Sequence, residues 1–173
     1  MANTTFSGPV RSLNGFISFG PKAVVSLTAD TTLTQATHAG RILTCNDADG
    51  KFTLPAITSG SSSAVAGASD YNVLSNLGCT YTFWVQTLAT DMDIKTDGTD
   101  RFYGAVFIGI DSEATGETFA ANASSNDVMT MNGTTTGGIV GSFVQFTAIA
   151  SAAYYVTGSL IGSGTIATPF ADA

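Results

Sequence analysis

YTFWVQT, residues 81–87, decides the fold class: Tyr81, Phe83 and Val85 fall on one side of an extended chain and Trp84 on the other. Its aromatic and β-branched residues favour a pleated strand over a helix. The same signature recurs on both sides. SFVQFTAIA (142–150) sets Phe143, Gln145, Thr147 and Ile149 against Val144, Phe146 and Ala148. AVVSLT (23–28), RILTC (41–45), KFTLP (51–55), DMDIKTDG (91–98), FYGAVFIGI (102–110), SSNDVMTMNG (124–133) and AYYVTGSLIG (153–162) read as further strands. Gly104 and Gly109 interrupt the 102–110 stretch, so it reads as one strand or a strand pair. Asp49-Gly50, Asp97-Gly98 and Asn132-Gly133 are turn signals, and the first predicts a tight hairpin from 41–45 into 51–55. About eight to ten short strands at this spacing predict an all-β domain, an antiparallel sandwich or barrel.

Two segments break the rhythm. SGSSSAVAGASD (59–70) is rich in Ser, Ala and Gly and reads as a surface loop. The first 20 residues carry apolar anchors without a period, which suits an extended arm inserted into a neighbour, ahead of a domain at 21–173. Phe6, Pro9, Val10, Arg11, Phe16 and Phe19 are its candidate contact residues.

Composition narrows the function. The chain has 173 residues, 44% hydrophobic and only 11% charged, so its surface is solvated largely by Thr, Ser, Asn and Gly. The net charge is −7, and the six basic residues stand singly within the first 101 positions, which argues against a nucleic-acid partner. No apolar run is long enough to span a membrane as a helix. MANTTFSGPV lacks a basic region followed by an apolar stretch, so synthesis in the cytoplasm is expected. Cys45 and Cys79 are expected to be free thiols, not a disulfide framework.

Catalytic constellations fail one by one. A single histidine, His38, removes multi-histidine metal sites and ordinary His-based triads, and QATHAGR reads as an exposed polar turn. Asp91, Asp93, Asp97 and Asp100 crowd one segment, yet Lys95 interrupts them and Asp97-Gly98 is a turn. NDADG (46–50) starts a calcium-loop pattern without its closing glutamate. No cofactor and no enzymatic activity is expected. Trp84 lies in the most apolar strand, which predicts core packing over ligand stacking.

The opening MANTTFSGPVRSLNGF resembles the start of small virion proteins of marine and cyanobacterial tailed phages. Thr32-Leu33-Thr34 through Gly40, then Thr53-Leu54-Pro55, then Tyr81-Thr82-Phe83-Trp84-Val85 resemble a module of phage head-decoration proteins. Gly164 to Phe170, GTIATPF, is similar to their closing segment. The resemblance implies a capsid decoration (cement) protein, a homotrimer seated on the major capsid protein at the outer capsid surface of the virion. It brings no catalytic residues. A tail-fibre or receptor-binding domain is an alternative, although no repeat or coiled-coil lead-in is seen; a carbohydrate-binding domain is another.

Overall fold

The computed structural model describes residues 19–58 and 76–172. Along the chain lie β1 (Val24–Leu27), β2 (Thr31–Thr32), the single turn α1 (Gln35–His38), β3 (Ile42–Cys45), β4 (Lys51–Thr53), β5 (Thr80–Val85) and β6 (Met92–Lys95). There follow β7 (Arg101–Ile110), β8 (Gly116–Ala120), β9 (Val128–Met131), β10 (Phe143–Ala150), β11 (Ala153–Gly162) and β12 (Phe170–Ala171). The expected all-β character is what the chain adopts. FYGAVFIGI lies within a single uninterrupted strand, and β8, in the polar sequence GETFA, had no hydrophobic alternation to announce it. The expected loop at 59–70 lies outside the described residues.

The strands form two sheets, ordered β1-β3-β5-β10-β11-β7-β8 and β12-β9-β6-β4-β2, with no closed barrel. Both are mixed, which corrects the antiparallel expectation: β1, β3 and β5 run parallel, as do β2, β4 and β6, and β7 pairs parallel with β11. The reason is the path of the chain. From β1 to β6 it crosses to the other sheet after every strand, so strands adjacent in sequence are never partners and every second strand stacks in parallel. Among the described residues only β7–β8 and β10–β11 are hairpins between sequence neighbours.

Asp49-Gly50 therefore turns a corner between sheets and makes no hairpin from β3 to β4. A type I′ hairpin would need Gly50 in the left-handed region, and Gly50 is not among the residues with positive φ. What position 50 needs is smallness, because a methyl there would press into the Phe52 ring.

Period-two alternation brings the inward residues of both sheets into one core. Tyr81, Phe83 and Val85 are buried, as their sequence pattern predicts, and so are Val144, Phe146 and Ala148. Rings connect the sheets: Phe52 of β4 stacks on Phe83 of β5 at 6.1 Å, and Phe83 meets Phe146 edge-on at 5.9 Å. Phe146 lies 4.9 Å from Phe102, which reaches back to Phe170 of β12 at 6.4 Å. Phe146→Ala should lower the unfolding free energy by about 3–5 kcal/mol in chemical denaturation, because its ring supports two others. The Tyr81 hydroxyl is buried with no hydrogen-bond partner among the described residues. Tyr81→Phe should consequently leave stability unchanged or raise it by about 1 kcal/mol in the same assay.

Candidate functional site

The two sheets turn very different outer faces to their surroundings. On the five-stranded sheet, register aligns Lys51 with Asp93 and Thr130, and Thr53 with Lys95. Lys51 Nζ lies 3.0 Å from both Asp91 Oδ2 and Asp93 Oδ2, and Thr130 donates to Asp93 Oδ1 at 2.6 Å. Burial opposes the charge on Lys51, but the two carboxylates outweigh it and hold its ammonium above the ordinary lysine range. These aspartates, the carboxylates a hydrolase would use, are engaged by a surface lysine.

The outer face of the seven-stranded sheet is aromatic. Trp84 of β5 stands opposite Phe143 of β10, and Ser159 of β11 separates Phe143 from Phe107 of β7. The Val85 N–H donates to Ser142 O, which makes Trp84–Phe143 a non-hydrogen-bonded pair, the position where facing side chains approach most closely. Tyr103 and Tyr155 form a second pair of neighbours, and Val24 and Ile42 a third toward the β1 edge. All seven are exposed, Trp84 at 47% and Phe143 at 39%. Between them lie Thr44, Thr82, Gln145, Thr147 and Thr157. Gln145 donates to the Thr82 hydroxyl at 3.0 Å. Among the outward residues of these strands only Arg101, at the end of β7, is charged, and its guanidinium turns to the buried carboxylate of Asp127 at 2.8 Å.

Glycine shapes this face where its rings lie down. A methyl on Gly116 would collide with the Phe107 ring, which lies across the edge strand. Gly104 has φ +114°, and a side chain there would strike Val156 O and crowd the Tyr155 ring.

Trp84 is thus not a core residue, contrary to its expected packing. Its strand carries one large ring among threonines on the outer face, and only the inward set, Tyr81, Phe83 and Val85, lies between the sheets. The alternation in YTFWVQT already separated Trp84 from Tyr81, Phe83 and Val85; the strand's overall apolarity obscured that signal. Phe143, Phe107, Tyr103 and Tyr155 were missed for the same reason.

Other expected sites fall out as follows. His38 is buried, not exposed. It ends α1, and its ring folds back so that Nδ1 accepts the Thr34 N–H at 2.9 Å; burial lowers its pKa. Asp97 is the expected turn residue, its Oδ1 accepting from the N–H and hydroxyl of Thr99 at 3.0 and 2.7 Å. Asp100 is buried and accepts the Ile57 N–H at 2.9 Å; burial raises its pKa. Cys45 and Cys79 are free thiols, and burial pushes Cys45 up to about 12. No cluster of three or more His, Cys, Asp or Glu suited to a metal ion occurs among the described residues. No helix among them is long and apolar enough to cross a membrane. Of the arm residues, Phe6, Pro9, Val10, Arg11 and Phe16 lie outside the described residues, while Phe19 is 83% exposed.

Trp84 is the only tryptophan, so it reports on this face directly. Its emission in the folded protein should lie close to that of indole in water and be strongly quenched by acrylamide. A blue-shifted, unquenched signal would contradict an open face. The chain matches no protein-family model, no curated protein and no solved structure.

Proposed function

We propose that the chain is a non-catalytic structural protein, a capsid decoration (cement) protein that binds the major capsid protein from outside the head. In this reading the two sheets form a sandwich, the aromatic face of the seven-stranded sheet is the contact surface, and the chain acts as a homotrimer. The observation that carries it is the contrast between faces. Isolated exposed apolar residues are ordinary on any protein, but seven on one nearly charge-free sheet face suit an interaction site. Aromatic side chains supply large contact area at small entropic cost, and interface cores are enriched in them and depleted of charge. The opposite face, with Lys51, Asp91, Asp93 and Lys95, suits solvent. The arm at residues 1–20, with Phe6, Phe16 and exposed Phe19, would add contact beyond the face.

A second reading has a specific observation behind it. Exposed Trp84 beside Gln145 and Thr82 offers an indole platform with polar partners, the arrangement by which a carbohydrate-binding or receptor-binding virion domain would hold a sugar.

Co-sedimentation with undecorated phage heads tests the first reading. Trp84→Ser combined with Phe143→Ser should weaken binding tenfold or more, since central aromatic anchors are each worth about 2 kcal/mol or more. Lys95→Ala, on the opposite face, should leave it unchanged. Deleting residues 1–19 should abolish decoration while the core stays folded by circular dichroism. Undiminished binding by the double variant would refute the face assignment, and Trp84-dependent binding on a glycan array would establish the second reading.

A further inference from the structure

We infer that copies of this chain join edge to edge, β8 of one copy pairing antiparallel with β1 of the next, so that their seven-stranded sheets become continuous. The inference rests on the two edges of that sheet and is independent of what the aromatic face binds.

Among the described residues no strand pairs with the outer side of β8, and Glu117, on the inner face, is its one charge. Natural sheets blunt exposed edges with lysine, proline, bulges or very short strands. β8 has five residues, GETFA, without lysine or proline, and an unbroken register against β7. The Ala121 N–H donates to Gly104 O, and the Ile110 N–H donates to Thr115 O. These two bonds fix the ladder's phase: Ala105–Ala120 and Gly109–Gly116 are non-hydrogen-bonded pairs, and Phe107–Thr118 between them is a third. The N–H and C=O of Gly116, Thr118 and Ala120 therefore all turn away from β7, toward the open side. By contrast, the edge strands of the other sheet, β2 and β12, have only two residues each.

β1 is the matching edge. The Ile42 N–H donates to Ala23 O and the Asn46 N–H donates to Leu27 O, so Val25 and Leu27 carry the bonds to β3 while the N–H and C=O of Val24 and Ser26 turn outward. The pairings across the sheet set β8 opposite in direction to β1, so two copies laid side by side with the same face outward present β8 to β1 as an antiparallel pair.

Side chains agree with the backbone. Setting Ser26 against Thr118 of the next copy sets Val24 against Ala120, and all four belong to the outer face. The aromatic face would then run from copy to copy with no charge at the seam. On the inner side, Val25 meets Phe119 of the next copy. Both are only partly buried where they pack against the core of a single copy, each at one open end of it. Joining covers both with apolar surface. In this register Leu27 faces Glu117, which is exposed in a single copy. The alternative of β8 against β8 also satisfies the backbone, but it sets Glu117 against Phe119 twice over and leaves Val25 uncovered. Pairing of unlike edges is head-to-tail, so it closes into a ring when the rotation per copy divides a full turn.

Light scattering and cysteine trapping on the full chain test this. The wild-type protein should be oligomeric at micromolar concentration. Thr118→Pro removes an outward N–H and no β7 bond, so it should keep the wild-type circular dichroism and weaken association at least a hundredfold. Under mild oxidation, a mixture of Ser26→Cys and Thr118→Cys chains should form a disulfide between positions 26 and 118 that neither variant forms alone, against the background of Cys45 and Cys79. The trapping stands even if the proline variant fails to fold. A monomeric wild type, a folded Thr118→Pro variant that associates normally, or the absence of the mixed disulfide would overturn the inference. Thr118→Cys cross-linking to itself would overturn it in favour of like-edge pairing.

Discussion

A file of rings, Phe52, Phe83, Phe146, Phe102 and Phe170, starts in the five-stranded sheet, crosses into the seven-stranded sheet and returns. The rest of the structure depends on it. Neither sheet keeps a dry face alone, since a sheet is stable only when one side is buried against another layer. The rings supply that shared layer from strands far apart in sequence. Their burial also dictates what is left outside: with Phe83 and Phe146 turned in, pleating forces Trp84 and Phe143 out.

The winding of the first six strands follows from the same constraint. Leu43 and Cys45 on β3, and Phe52 on β4, all have to reach one core from opposite sides. A hairpin at Asp49-Gly50 would place β3 and β4 in one layer. Crossing to the other sheet instead lets each short strand cover the one just completed, and parallel ladders result. Small side-chain bonds reinforce the stack, as where Asn46 donates to Ser26 Oγ at 2.6 Å and to Gln86 Oε1 at 3.2 Å, tying together the chain around β1, β3 and β5.

Among the described residues, the winding leaves β1 and β8 as the unpaired edges of the seven-stranded sheet, with an aromatic outer face between them. Free backbone groups favour strand addition, and rings without nearby charge favour a broad apolar contact. These features suit a protein that works in an array better than one that works alone. On the other outer face, the Lys51–Asp91–Asp93 cluster provides the hydration that a solvent side requires.

Local chemistry alone determined the strands with clear alternation, the burial of Tyr81, Phe83 and Val85, and the turn role of Asp97, because each depends on residues within one pleat or one turn. It did not determine strand direction, since an Asp-Gly pair serves a hairpin and a corner equally, and the choice between them is made by side chains many positions away. His38 read as exposed because its neighbours are polar; only the fold-back onto Thr34 at the end of α1 buries it. β8 has too little apolar character to be seen, and its existence comes from the ladder with β7. Trp84 is the clearest division between the two levels. Alternation assigned it the face opposite Phe83, but which face would be dry was decided when the second sheet covered only one of them.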